Sequence, residues 1–208
     1  IAVFIAGGSR LCADELPALP TLHRQASSPG DYLVHNIAPR AAAYRSHDNR
    51  ELILDNGLIR RTWRIDPNGA CVGFENLMNG QSMLRAVRPE ARITVDGTAL
   101  AVGGLVGQPN HAYLTREWLD GMQADPAAMR FVGFELGEPV ARFAWNRRRH
   151  AAPEAAWPPK GVSMRMDFAM PEDAELNQST SRIQVSVHYE MYDGIPLMCK
   201  WLTMRNNG

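Results

Sequence analysis

Net charge is missing from this 208-residue chain. Lys plus Arg and Asp plus Glu balance at 22 each, so no summed field draws it to phosphate backbones or anionic membranes. Cysteine is scarce and odd in number. Cys12, Cys71 and Cys199 are far apart and form no disulfide framework, and Cys71 and Cys199 lie in apolar runs that suit two separate buried thiols. No run approaches the ~20 apolar residues that span a bilayer. Also absent are a glycine-rich phosphate loop, a Gly-x-Ser-x-Gly elbow, a Cys-x-x-Cys pair and a His-Glu-x-x-His segment. The basic cluster NRRRH at 146–150 is short and lacks interleaved aromatics, as expected of a solvated loop. Neither nucleic acid nor membrane is an expected partner, and no cofactor or metal is called for.

Hydrophobic residues make up 45% of the chain, enough to bury a substantial core. The opening IAVFIAGGSRLCADELP runs from apolar through small to acidic residues. That order resembles the back half of a secretory signal with cleavage after Ala13, which leads us to expect a secreted or periplasmic protein. Residues 14–50 are rich in Ser, Pro, Ala and Arg and lack sustained periodicity, so they read as a linker or lead-in.

From Glu51 the pattern changes. ELILDNGLIRRTWRI places two strand-like runs around Asn56-Gly57, the dipeptide that supplies the positive φ angles of a two-residue hairpin. Asp66-Pro67-Asn68-Gly69 marks the next turn, CVGFENL a third strand, and ARITVDGTALAVGGL another pair around Asp96-Gly97. Residues 105–129 break the alternation, with one short helix expected near Thr115 to Gly121. Strand character returns in RFVGFELGEPVARFAWN, VSMRMDFAM and RIQVSVHYEMY, and Asp193-Gly194 turns into a last strand over 197–204. With no 10–15-residue amphipathic helix between strands, the expectation is an antiparallel all-β sandwich over 51–208. The last strand is apolar on both faces and Asn207-Gly208 is itself a hairpin signal, so we expect a further partner strand and an incomplete domain.

His188 and Glu190, two apart on one strand, share a face. An acid/base pair would be placed so, and so would any two residues on an outward polar face, which is the reading adopted. Trp63 and Trp201 sit in strand interiors and read as core. The residues set aside as candidates for carbohydrate or domain contact are Asn110, His111, Tyr113 and Trp118 in the 105–129 excursion, with Trp145 and Trp157 in the later irregular segments. Loops over rigid sheets carry binding groups, and indole and phenol rings stack on apolar sugar faces.

The segments from ELILDNGLIRRTWRI to ARITVDG, GGLVGQPNHAYLTREWLDGM, ARFAWNRRRH, WPPKGVSMRMDF and VSVHYEMYDGIPLMCKWLTMRNN together resemble the N-terminal β-domain of secreted α-galactosidase-type (glycoside hydrolase family 36-like) proteins. The resemblance implies a β-supersandwich of galactose mutarotase-like fold preceding a (β/α)8 catalytic domain. It implies carbohydrate and that barrel as partners, and allows a homo-oligomer. The family's catalytic carboxylates belong to the barrel, so no catalytic residue is expected in this chain. An autonomous carbohydrate-binding module and an aldose 1-epimerase-like enzyme are the alternatives.

Overall fold

The computed structural model of the protein describes residues 18–22, 40–146, 156–171 and 182–207. The signal-like residues 1–13, the cations at 147–150 and most of the polar turn near 171–181 lie outside the described residues.

Two antiparallel sheets form a sandwich. The first has five strands in sequential order: Ala42–Arg45 (β1), Glu51–Asp55 (β2), Ile59–Arg64 (β3), Ala70–Asn76 (β4) and Gln81–Ser82 (β5). A hairpin of Ala91–Val95 (β6) and Thr98–Val102 (β7) follows. The excursion contains Leu105–Val106 (β8), the one-turn helix Arg116–Leu119 (α1) and Gln123–Ala124 (β9), with β8 paired to β9. Arg130–Gly137 (β10), Gly161–Ala169 (β11), Ile183–Tyr192 (β12) and Met198–Asn206 (β13) then make the second sheet, again in sequential order. The all-β expectation holds.

Besides the strand read over RFVGFELGEPVARFAWN, which ends at Gly137, three local details differ from the sequence reading. The lead-in contains β1, which pairs with β2, and Thr21 bridges to Arg45; four residues, two of them Ala, are too few to display alternation. At the β2–β3 hairpin, only Gly57 has a positive φ, of 77°. Asn56 closes the turn instead of occupying its centre: its N–H donates to Ile59 O, and its Oδ1 accepts from the N–H groups of Leu58 and Ile59. The third difference, the outward position of Trp201, belongs with the site below.

Alternation along the long strands decides what is buried. On β12, Val185, Val187, Tyr189 and Met191 point inward and are fully buried, as are Met164, Met166 and Phe168 on β11 or nearly so. They meet Leu52, Leu54, Trp63 and Cys71 of the first sheet, with Leu100 and Val102 of β7. Each such side chain contributes about 1.5–3 kcal/mol on burial. Trp63 is 0% exposed with its ring 4.6 Å from Tyr189, as its strand-interior position predicts.

One buried polar group is built into this core. Glu90 accepts from Cys71 N at 2.8 Å, from the Tyr189 hydroxyl and from Lys200 Nζ at 3.0 Å, so its carboxylate is satisfied where an unpaired one would be costly. Both described cysteines are free thiols. Cys71 lies in the core and Cys199 is half-buried on the second sheet.

Candidate functional site

The outward side of the second sheet is polar where the inward side is apolar. His188 and Glu190 do share it, as their spacing requires. Opposite His188 in the β12–β13 register stands Trp201, and the two rings stack with centroids 4.9 Å apart and planes 7° from parallel. Trp201 is therefore a half-buried outward residue, not core. Its neighbours Lys200 and Leu202 take the inward side because strand side chains alternate.

His188 Nε2 shares a 2.8 Å hydrogen bond with Thr203 Oγ1. Burial, reinforced by the Arg165 and Arg142 cations, holds its imidazolium pKa below the ordinary value, so the ring is neutral at pH 7. Glu190 is only 3% exposed. Its Oε2 accepts from the Tyr192 hydroxyl at 2.7 Å and from Arg142 Nη2 at 3.2 Å, and the Arg142 guanidinium lies 3.7 Å from the Trp201 ring centroid. Burial first, then hydrogen bonding to Cys199 and Glu190, raises the Tyr192 phenol pKa. His188 and Glu190 share this side of the sheet, with Glu190 engaged by Tyr192 and Arg142 and His188 by Thr203.

Arg142 belongs to the segment that leaves β10 and crosses this face. Next to it, Phe143 is 59% exposed and Trp157 is 37% exposed, with ring centroids 4.8 Å apart. Trp145 lies 5.8 Å from Trp157, and Trp157 Nε1 donates to Phe143 O at 3.1 Å. The prolines after Trp157 form one wall of a cleft of about 370 Å³ at this end of the sandwich. Arg40, Glu138, Lys160 and Asp193 supply its polar lining. Asp193 Oδ1 accepts from Ala41 N at 2.7 Å. Among the described residues Arg40, Glu138 and Lys160 make no ion pair.

The other four candidates lie on the outward side of the first sheet. There the excursion is anchored by a second apolar cluster of Ala70, Val72, Val87, Leu105, Leu119 and Met122, with Leu114 against it. Gln108 ties the loop together, donating to the carbonyls of Arg85, Asn110 and Tyr113 and accepting from Val87 N. Arg64 and Arg50 pair with Asp120 at 2.9 and 3.0 Å, and Arg116 with buried Glu51 at 3.4 Å, which fixes α1 to β2 and β3. Asn110 Oδ1 accepts from Ala112 N within its own turn, and His111 Nδ1 lies 3.3 Å from Arg88 Nη2. The rings of Tyr113 and Trp118 meet at a tilt of 37° with centroids 5.0 Å apart.

The structure thus brings Trp145 and Trp157 together, and separates them from Asn110, His111, Tyr113 and Trp118. Sequence reasoning missed Phe143, Arg142, Trp201 and Gln108. Phe143 stands two residues before Trp145, so grouping aromatics would have found it. Nothing local marks Arg142 or Gln108.

Among the described residues no three His, Cys, Asp or Glu side chains converge to hold a metal ion, and no helix is long and apolar enough to cross a membrane. Comparison with protein families, with curated proteins and with solved structures finds no match to this chain.

Proposed function

We propose that this chain is a non-catalytic, carbohydrate-contacting β-sandwich domain of a secreted or periplasmic carbohydrate-active enzyme. The parent activity is α-galactosidase-like glycoside hydrolysis, carried by a (β/α)8 domain of the same protein. The sandwich is of the galactose mutarotase-like supersandwich kind. The sequence resemblance supports the parent activity and the fold family. The observation that carries the carbohydrate contact is the cluster of exposed Phe143 and Trp157 with half-buried Trp145, in which Trp157 immediately precedes Pro158 of the cleft wall. Exposed aromatic faces beside a few converging polar groups suit a ring with apolar faces and hydroxyl edges.

Calorimetric titration with galacto-oligosaccharides tests this reading. Binding is expected in the wild type and should weaken at least tenfold in Trp157→Ala, with the melting temperature nearly unchanged. Absence of binding to every galactoside would overturn it. The chain by itself is expected to leave a nitrophenyl α-galactoside unhydrolysed. It should also leave the rate of galactose mutarotation at background, and acceleration above it would favour the epimerase reading. An autonomous binding module would make the same contact without any barrel.

A further inference from the structure

We infer that β13 is a self-pairing edge: two copies of this chain join antiparallel along β13, about a two-fold axis through Leu202, and make their four-stranded sheets continuous. This pairing does not depend on the carbohydrate contact. Among the described residues β13 ends its sheet, and no strand lies on its far side. It is nine residues long, keeps one register along the whole of β12 without a bulge, and contains no proline. Bulges, prolines and free lysines are what usually keep an exposed edge from pairing. The one inward lysine, Lys200, is turned into its own sandwich, where Nζ donates to Glu90 O at 2.6 Å and to Glu90 Oε2 at 3.0 Å, so it does not guard the edge.

The main-chain pattern shows which groups that edge offers. Asn207 N donates to Arg182 O and Tyr192 N to Leu197 O at the two ends of the β12–β13 ladder. Hydrogen-bonded pairs alternate along an antiparallel ladder, so odd-numbered residues of β13 bond to β12. The N–H and C=O groups of Lys200, Leu202 and Met204 therefore point to the far side. The side chains of the last two are uncovered as well. Leu202 and Met204 lie beside buried Val187 and Val185 of β12, yet are 41% and 58% exposed.

The sequence of β13 suits a second copy of itself. Leu202 is the middle residue of Met198–Asn206, so a two-fold axis there overlaps both strands along their full length. Leu202 then faces Leu202 of the second copy, and Lys200 and Met204 face each other twice, giving about six new main-chain hydrogen bonds. Cations are kept apart, because Lys200 is inward and Arg205 outward; Arg205 faces Cys199. Other registers do worse. An axis between two residues sets inward side chains against outward ones. An axis at Lys200 or Arg205 opposes like charges, and one at Trp201 or Thr203 shortens the overlap.

Sedimentation velocity of the full chain across micromolar concentrations, with disulfide trapping, tests this. The wild type should sediment as a dimer. Leu202→Lys, which sets two cations on the axis, should raise the dissociation constant of the dimer about tenfold or more, while Leu202→Ile should leave it nearly unchanged. The Cα atoms of a hydrogen-bonded antiparallel pair are about 5.5 Å apart, within disulfide reach, so Leu202→Cys should form a covalent dimer under mild oxidation. Thr98→Cys, exposed at the start of β7, should form no more than the wild type. Circular dichroism and the melting temperature verify folding, and if Leu202→Lys fails to fold the trapping result decides. A wild type that stays monomeric throughout the range overturns the inference. So does a dimer indifferent to folded Leu202→Lys, and so does trapping no greater in Leu202→Cys than in Thr98→Cys, since the copies then meet through another surface.

Discussion

Replacing Asn56 with aspartate exchanges one amide nitrogen for one oxygen at a site with 0% exposure. Nδ2 of Asn56 donates to the carbonyls of Tyr192 and Ile195, each at 2.8 Å, and so ties the β2–β3 hairpin to the turn after β12. The Asn56→Asp variant would keep the acceptor that serves Leu58 and Ile59 but face two carbonyl oxygens with a third oxygen. Two lost hydrogen bonds cost about 1–3 kcal/mol together. A carboxylate buried with its second oxygen against two carbonyls and no counter-charge costs about 3–5 kcal/mol, so the charge is the larger effect at pH 7. At about 2–4 °C per kcal/mol for a chain of this size, the melting temperature should fall by roughly 6–20 °C. Burial beside two carbonyls raises the folded pKa of this aspartate above its unfolded value of about 3.9. The folded chain then holds the proton to higher pH, so stability falls as pH rises from about 4 towards the folded pKa and returns on acidification. Asn56→Ala, which loses the same donors without adding charge, should show no such return. Thermal and urea denaturation of wild type and both variants between pH 4 and 8 measure this. An Asn56→Asp protein within ~1 kcal/mol of wild type at pH 7, or one whose deficit does not shrink in acid, would refute the cross-sheet bridge.

Two further outcomes are expected. Gly161 begins β11, and a Cβ there would lie 2.1 Å from the Met191 carbonyl oxygen, so Gly161→Ala must push β11 from β12. It should destabilise by more than ~3 kcal/mol. Gly80→Ala, which meets nothing within 4 Å but has a φ of +73°, should lose only about 1–2 kcal/mol, and similar losses in the two would argue against the clash. His188, whose folded pKa is lowered chiefly by burial, takes up its proton after the unfolded chain does as pH falls through about 6.5. Stability should therefore be full above pH 7 and decline through the window below it, while His188→Gln should be flatter there; parallel stability profiles would exclude a half-buried, neutral His188.

Much of the fold is legible in the chain because strand structure is announced locally. Alternation in RIQVSVHYEMY sorts Val185, Val187 and Tyr189 from Ser186, His188 and Glu190 without reference to any other residue. Asp96-Gly97 and Asp193-Gly194 mark turns through their own backbone preferences, with Gly97 and Gly194 at φ +80° and +73°. The site is less legible. Trp201 carries the same strand-interior signal as Trp63, yet one lies outside the second sheet and the other in the core, since an alternating pattern names two faces but not which of them another element will cover.

What the sequence by itself determined was the class of most segments beyond Glu51, strand, turn or irregular crossing, and which residues share a side, but not β1 in the lead-in. Only the tertiary structure decided that Asn56, a turn residue by its local signal, reaches 136 positions along the chain to hold Tyr192. It also decided that Phe143 and Trp157 meet across a crossing loop while Trp118 is carried to the other side of the sandwich. The physical reason is range. Dihedral preference and side-chain alternation act over two to four residues, whereas burial and cross-sheet hydrogen bonds depend on which distant surfaces the two sheets bring into contact.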